Sequence, residues 1–180
     1  MKKLFTLGMF LFSITAFAQV TSVSLQASGL TCSMCSNAIN KSLQSLNFVQ
    51  QVTANISHST FDITIKPGSL VDFDQLKKKV EDAGFFVANL SATFDFKNVG
   101  IKNDSHTVID GMTFHFLHST DQILNGSRTI RLLDKGFVTA KEYKKNGQFT
   151  LMECYKTGKA GTCCEKDGLA IGTRVFHVTM

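Results

Sequence analysis

The stretch Ser22–Leu46, SVSLQASGLTCSMCSNAINKSLQSL, changes its apolar period from two to about four at a single glycine. Val23, Leu25 and Ala27 alternate with Ser22, Ser24, Gln26 and Ser28, the pattern of a strand with one wet face. Beyond Gly29, Cys35, Ile39 and Leu43 recur at four-residue steps with Leu46 on the same side, which predicts an amphipathic helix from about Met34 to Leu46. The turn between them carries Cys32 and Cys35. Two thiols three positions apart are therefore expected where a strand becomes a helix.

Downstream, Val52, Ala54 and Ile56 alternate, a polar turn Ser57–Thr60 follows, and Phe61, Ile63 and Ile65 alternate again, as in a hairpin closed by Pro67-Gly68. Asp72 is placed to cap a second helix with Gln75 three residues on, a capping-box spacing. Phe73, Leu76, Val80 and Ala83 share one face of that helix, and Gly84 stops it. A last strand is expected from Val87 to Phe94. The order βαββαβ predicts an α+β, ferredoxin-like unit with two helices on one face of a four-stranded antiparallel sheet.

Upstream, Lys2 and Lys3 precede an apolar run from Leu4 to Phe12, and Ala16-Phe17-Ala18 has the small residues of a cleavage site. Residues 1–18 read as a secretory signal peptide, so a periplasmic or secreted mature chain starting near Gln19 is expected. Gln19 in place of a cysteine argues against a lipid anchor. No other window approaches the roughly 20 apolar residues of a transmembrane helix, so no membrane span is expected after cleavage.

Charge divides the mature chain. Gln19 to Asp95 carries five lysines against six acids, a net of −1, whereas Phe96 to Met180 carries twelve basic residues against eight acids, a net of +4. Neither half has a basic cluster interleaved with aromatics, and nucleic-acid binding is not expected. Residues 96–105, polar and aperiodic around Gly100, read as a linker. They separate a unit at 19–95 from a small β-rich domain at 106–180. In the latter, Met112–His118, Thr129–Leu133, Phe137–Tyr143, Phe149–Cys154 and Arg174–Met180 resemble strands, and Asn125-Gly126 and Asn146-Gly147 resemble turns. A barrel or sandwich of five or six strands, such as an OB-like barrel, is expected there.

Gly29-Leu30-Thr31-Cys32-Ser33-Met34-Cys35 after the first strand, with Glu81-Asp82-Ala83-Gly84-Phe85 after the second helix, resembles the heavy-metal-associated domain family, which includes copper chaperones, modules of copper-exporting P-type ATPases and periplasmic mercury-binding proteins. The resemblance covers about 75 residues of the N-terminal half. It implies that Cys32 and Cys35 are metal ligands, that Gly29, Leu30 and Thr31 support the loop, and that Phe85 shields it. Leu30 stands where the family most often has Met, a volume-conserving change at an apolar plug. The resemblance also implies partners: a metal-transporting ATPase or another metal-binding protein.

The chemistry of the loop agrees. Thiolate is the ligating form of cysteine, and a helix N-terminus lowers thiol pKa through its unpaired N–H groups and dipole. Two thiolates with no obligatory third ligand suit Cu(I), Ag(I) or Hg(II), whereas Zn(II) prefers four ligands and Thr31 offers no carboxylate. Met34 is a candidate extra ligand or simply a partly exposed loop residue. Three other roles stay open: a thiol–disulfide oxidoreductase, a resting disulfide in an oxidising compartment, and a non-catalytic interaction module. Against the first, no Trp flanks the pair, and the sole proline, Pro67, lies in a turn.

In the second half, Cys154, Cys163 and Cys164 bring the total to five. An odd number leaves one thiol over if a disulfide joins Cys154 to the vicinal pair. The alternative is a second soft-metal site, to which His177 or Met152 could contribute. His115 and His118, three apart on an expected strand, lie on opposite faces and are not expected to chelate. Lys77-Lys78-Lys79 reads as a solvated helix face. Taken together, the sequence predicts an exported protein that captures and transfers or sequesters one soft metal ion, with no enzyme activity.

Overall fold

A computed structural model describes residues 18–30 and 32–180. The signal-peptide reading and Thr31 therefore fall outside the described residues, apart from Ala18.

β1 (Ala18–Ser28) alternates buried and exposed side chains as its sequence does, with Val23, Leu25 and Ala27 inward. α1 (Ser33–Gln44) buries Ile39 and Leu43. β2 (Val49–Asn55) and β3 (Thr60–Ile65) form the hairpin, and Ser59 takes a left-handed conformation at its turn. α2 (Phe73–Asp82) starts at the expected capping box. The Asp72 carboxylate accepts from the Gln75 backbone N–H at 3.0 Å and from Gln75 Nε2 at 2.9 Å. These four strands lie in the order β2-β3-β1-β4, all antiparallel, as the βαββαβ pattern requires.

β4 (Phe86–Ile101) departs from expectation by running straight through the segment read as a linker. Phe94 and Phe96 are buried in alternation, and the next buried apolar residues are Val99 and Ile101. The step from 96 to 99 is three because a bulge, with Asn98 at φ 56°, inserts an extra residue against β7 (Gln122–Leu132). The Asn98 backbone N–H donates to Asn125 Oδ1 at 2.8 Å. A bulge breaks a two-residue period as thoroughly as a loop does, hence the misreading. The same bulge absorbs Asn125-Gly126, which lies inside β7 and is not a turn between strands.

The second half is neither barrel nor sandwich. β5 (Ser105–Ile109), β6 (Met112–Phe116), β7 and β8 (Val175–Thr179) extend the first sheet to eight strands in the order β2-β3-β1-β4-β7-β8-β6-β5. β6 and β8 pair in parallel, and the sheet stays open between edges β2 and β5. Phe137–Tyr143, expected as a strand, leads instead into α3 (Ala140–Asn146), capped by Thr139 and closed by Gly147, so Asn146-Gly147 ends a helix. Phe149–Cys154 forms no strand; Thr150 is buried while Leu151 is exposed, and α4 (Cys154–Thr157) begins at the cysteine.

One hydrophobic core runs through both halves. Phe73 of α2 meets Phe176 of β8 and Phe114 of β6 edge-on, with centroids 5.4 and 6.4 Å apart, and Phe94 of β4 meets Phe114 at 5.7 Å. Arg174 forks onto Asp74 of α2, Nε–Oδ2 2.8 Å and Nη2–Oδ1 3.1 Å. Lys77, expected on a solvated face, lies over the Phe137 ring at 5.0 Å. The boundary drawn from charge thus divides two charge regimes on one sheet.

Candidate metal centre

Gly29 ends β1 at φ +84° and turns the chain toward α1. Cys32 occupies the N-cap of α1 in extended conformation, and its Sγ accepts from the Cys35 backbone N–H at 3.3 Å. Cys35 stands in the first helical turn. The two are joined as a disulfide with Cα atoms 5.4 Å apart. Cys32 is exposed and Cys35 half-buried, so the sulfurs lie at the surface with one side toward the core. Leu30 packs against that core beneath the loop. So does Phe85, whose ring edge lies within 3.9 Å of where a Gly29 Cβ would be. Met34 points outward, 81% exposed.

The three remaining cysteines are free thiols. The bridge expected from Cys154 to the vicinal pair is not formed, although the three sulfurs lie within 4.8 Å of one another. Met152 packs beside Cys154 and Cys164. The larger surprise lies on the other side of Cys154, where three histidines converge. His106 of β5, His115 of β6 and His177 of β8 are direct cross-strand partners, His106 opposite His115 and His115 opposite His177. They form one row on one face of the sheet. Their side chains are at most 1% exposed. Cys154 Sγ lies 3.4 Å from His177 Nε2, 3.7 Å from His106 Nε2 and 3.8 Å from His115 Nδ1.

Each imidazole has a carboxylate on its other nitrogen. His106 Nδ1 bonds Asp167 at 2.6 Å, His115 Nε2 bonds Asp104 at 3.0 Å, and His177 Nδ1 bonds Asp134 at 2.9 Å. Burial and the neighbouring His177 and His106 rings push His115 down to about 4, so it is neutral at neutral pH. Burial and the nearby Cys164 and Cys163 push the Cys154 thiol well up.

Sequence reasoning reached Cys154 and His177 but missed His106 and discounted His115. His118 does lie apart, stacked on Phe149 at 4.6 Å. His115 finds its partners across strands, and the available signal was a histidine inside each of the expected strands at 112–118 and 174–180.

The model of the heavy-metal-associated domain matches residues 24–86. The probable copper-transporting ATPase HMA5 of Arabidopsis thaliana is 30% identical over 88 residues, which make up 49% of this chain and 9% of the ATPase. The matched segment is thus a small part of that relative. Among solved structures, the yeast copper transporter domain Ccc2a, determined in apo and Cu(I)-loaded states, is 32% identical with a TM-score of 0.33, covering 36% of this chain and 88% of that domain. Oxidised MerP from Ralstonia metallidurans CH34 is 23% identical with a TM-score of 0.36, covering 39% and 96%. Residues 24–86, the strand, loop and helix around Cys32 and Cys35 included, are a heavy-metal-associated domain.

Proposed function

We propose that this is an exported metal-carrying protein whose N-terminal domain, once its cysteines are reduced, captures one soft metal ion, Cu(I) foremost, between Cys32 and Cys35 and passes it to a partner. The observation that carries the reading is the placement of both sulfurs at the start of α1, adjacent and at the surface. Backbone N–H groups at a helix N-terminus favour thiolate there, and two thiolates complete the linear shell of Cu(I), Ag(I) or Hg(II). The family match and the copper-transporting ATPase relative support copper as the cargo. Delivery by ligand exchange needs an accessible ion, and Cys32 is exposed. Exposed Met34 and Phe86, the latter paired with Ser28 beside the loop, give a partner apolar surface to meet. A metal-transporting ATPase or a second thiolate carrier fits that role.

Native mass spectrometry of the reduced, anaerobic protein titrated with Cu(I) against a competing chelator tests this. The wild type should hold one copper more than a Cys32→Ser/Cys35→Ser variant. Equal copper content in the two would remove Cys32 and Cys35 from metal carriage. The disulfide between them favours a second reading, a thiol–disulfide oxidoreductase, which requires catalytic turnover of a disulfide substrate by the wild type and none by the variant.

A further inference from the structure

We propose that His106, His115, His177 and Cys154 form a second, buried metal site, holding one copper- or zinc-type transition-metal ion in a tetrahedral shell of three nitrogens and one sulfur. It stands apart from the Cys32–Cys35 loop in sequence, in burial and in donor chemistry, and does not depend on the role proposed for that loop.

Geometry is the first argument. A tetrahedral ion with bonds of about 2.3 Å to sulfur and 2.0–2.1 Å to nitrogen sets its sulfur and nitrogens about 3.5 Å apart. The observed separations from Cys154 Sγ, 3.4, 3.7 and 3.8 Å, bracket that edge within a few tenths of an ångström. The ligand atoms of His106, His115 and Cys154 all lie within 4.8 Å of one another, whereas His177 Nε2, in reach of the sulfur, falls outside that group, so closing a four-donor shell draws the His177 ring inward.

Proton counting is the second. An ionised carboxylate only accepts hydrogen bonds, so Asp167, Asp104 and Asp134 each fix the facing ring nitrogen as N–H. The other nitrogen of each neutral ring then presents a lone pair, and all three lone pairs aim at one sulfur. A thiol has one proton and satisfies one of them. A cation satisfies all three together with the thiolate. Three carboxylate–histidine pairs around a common point are the outer shell that orients metal-bound imidazole and fixes its tautomer.

The surroundings are the third. Residues 133–174 connect β7 to β8 through short helices. Asp134, Cys154 and Asp167 all belong to that connection, whereas the histidines belong to the strands beneath, so an ion would staple it to the sheet. A surface cleft of about 430 Å³ is lined by Met152, half-exposed Cys163 and Asp104, the carboxylate bonded to His115. Imidazole and thiolate together select zinc and copper over the hard cations, which take oxygen.

The test uses the reduced full-length mature protein in the Cys32→Ser/Cys35→Ser background, which removes the surface site. Titration with Zn(II), Co(II) and Cu(I) should load one ion. Co(II) should give the visible bands of tetrahedral coordination with a near-ultraviolet sulfur-to-metal charge-transfer band. Cys154→Ser should abolish that band, and Cys163→Ser/Cys164→Ser should leave it. X-ray absorption of the Zn(II) form needs no core substitution, and should show three nitrogens and one sulfur. Failure to bind any of the three ions overturns the proposal. So does a charge-transfer band that persists in Cys154→Ser, or a zinc shell with two or more sulfurs, which would move the ion to Cys154, Cys163 and Cys164.

Discussion

Gly29 shows how one backbone angle places a functional loop. At φ +84° it occupies a conformation that L-residues with a Cβ adopt at a cost of about 1–2 kcal/mol. An added Cβ would meet only the Phe85 ring edge at 3.9 Å, an ordinary contact, so the penalty in Gly29→Ala comes from the backbone and not from crowding. The expected result is a lower urea midpoint with an unchanged slope, worth about 1–2 kcal/mol. A full-strength midpoint would mean that the turn does not need its glycine. The residue scale also explains which site could be read from sequence. Cys32 and Cys35 fall within one helical turn, so local spacing alone brings them together. His106, His115 and His177 are spread from 106 to 177 and meet only through strand register. His106 and His115 pair across consecutive strands, but no periodicity rule reports the register of β6 against β8, which are not consecutive, and β8 inserts between β6 and β7.

Elements were legible where capping, period and turn residues agreed. α2 had all three, and runs from Phe73 to Asp82 between its expected cap and stop. Its N-cap is a direct target: Asp72→Ala removes the acceptor for the Gln75 N–H and should cost about 1 kcal/mol by thermal or urea denaturation, while Asp72→Asn should recover most of it. Equal losses in the two variants would assign the effect to charge and not to capping. The failures share a cause. α3 carries the same kind of signal, Thr139 accepting from the Glu142 N–H at 3.3 Å, but the run Phe137, Val138, Tyr143 outweighed it as apparent β-propensity. Phe137 and Val138 are in fact buried before the helix starts, filling the core rather than lining a strand. β4 shows the converse case, in which a real strand was hidden by a one-residue insertion.

At the scale of the molecule, the two halves differ in charge yet share one sheet and one core, and their stability should be inseparable. Phe114 belongs to β6 but packs on Phe73 of α2 and Phe94 of β4, and it is fully buried. Truncating it in Phe114→Ala should cost about 3–5 kcal/mol, as large aromatic deletions from cores do. The loss should appear equally in hydrogen exchange of β1 amides, far away in sequence, because one cooperative unit unfolds as one. Two separate transitions, with β1 protection unchanged, would restore the two-domain description. The ion pair across the halves adds a pH dependence. Although burial opposes it, hydrogen bonding and charge from Arg174 hold the Asp74 carboxyl below its ordinary value. A carboxyl depressed in the folded state stabilises above its unfolded pKa, and that contribution fades as pH falls through the folded value. Asp74 is 42% exposed, so solvent screening limits the pair to about 0–1 kcal/mol. Asp74→Asn should therefore be less stable than wild type by a constant amount above about pH 5, and the difference should shrink to nothing as the wild-type carboxyl protonates at lower pH. A gap that stays constant into acid would assign the loss to something other than the Asp74 charge, and no gap at any pH would show that Arg174 holds the halves together through Asp134, its other carboxylate at 3.4 Å.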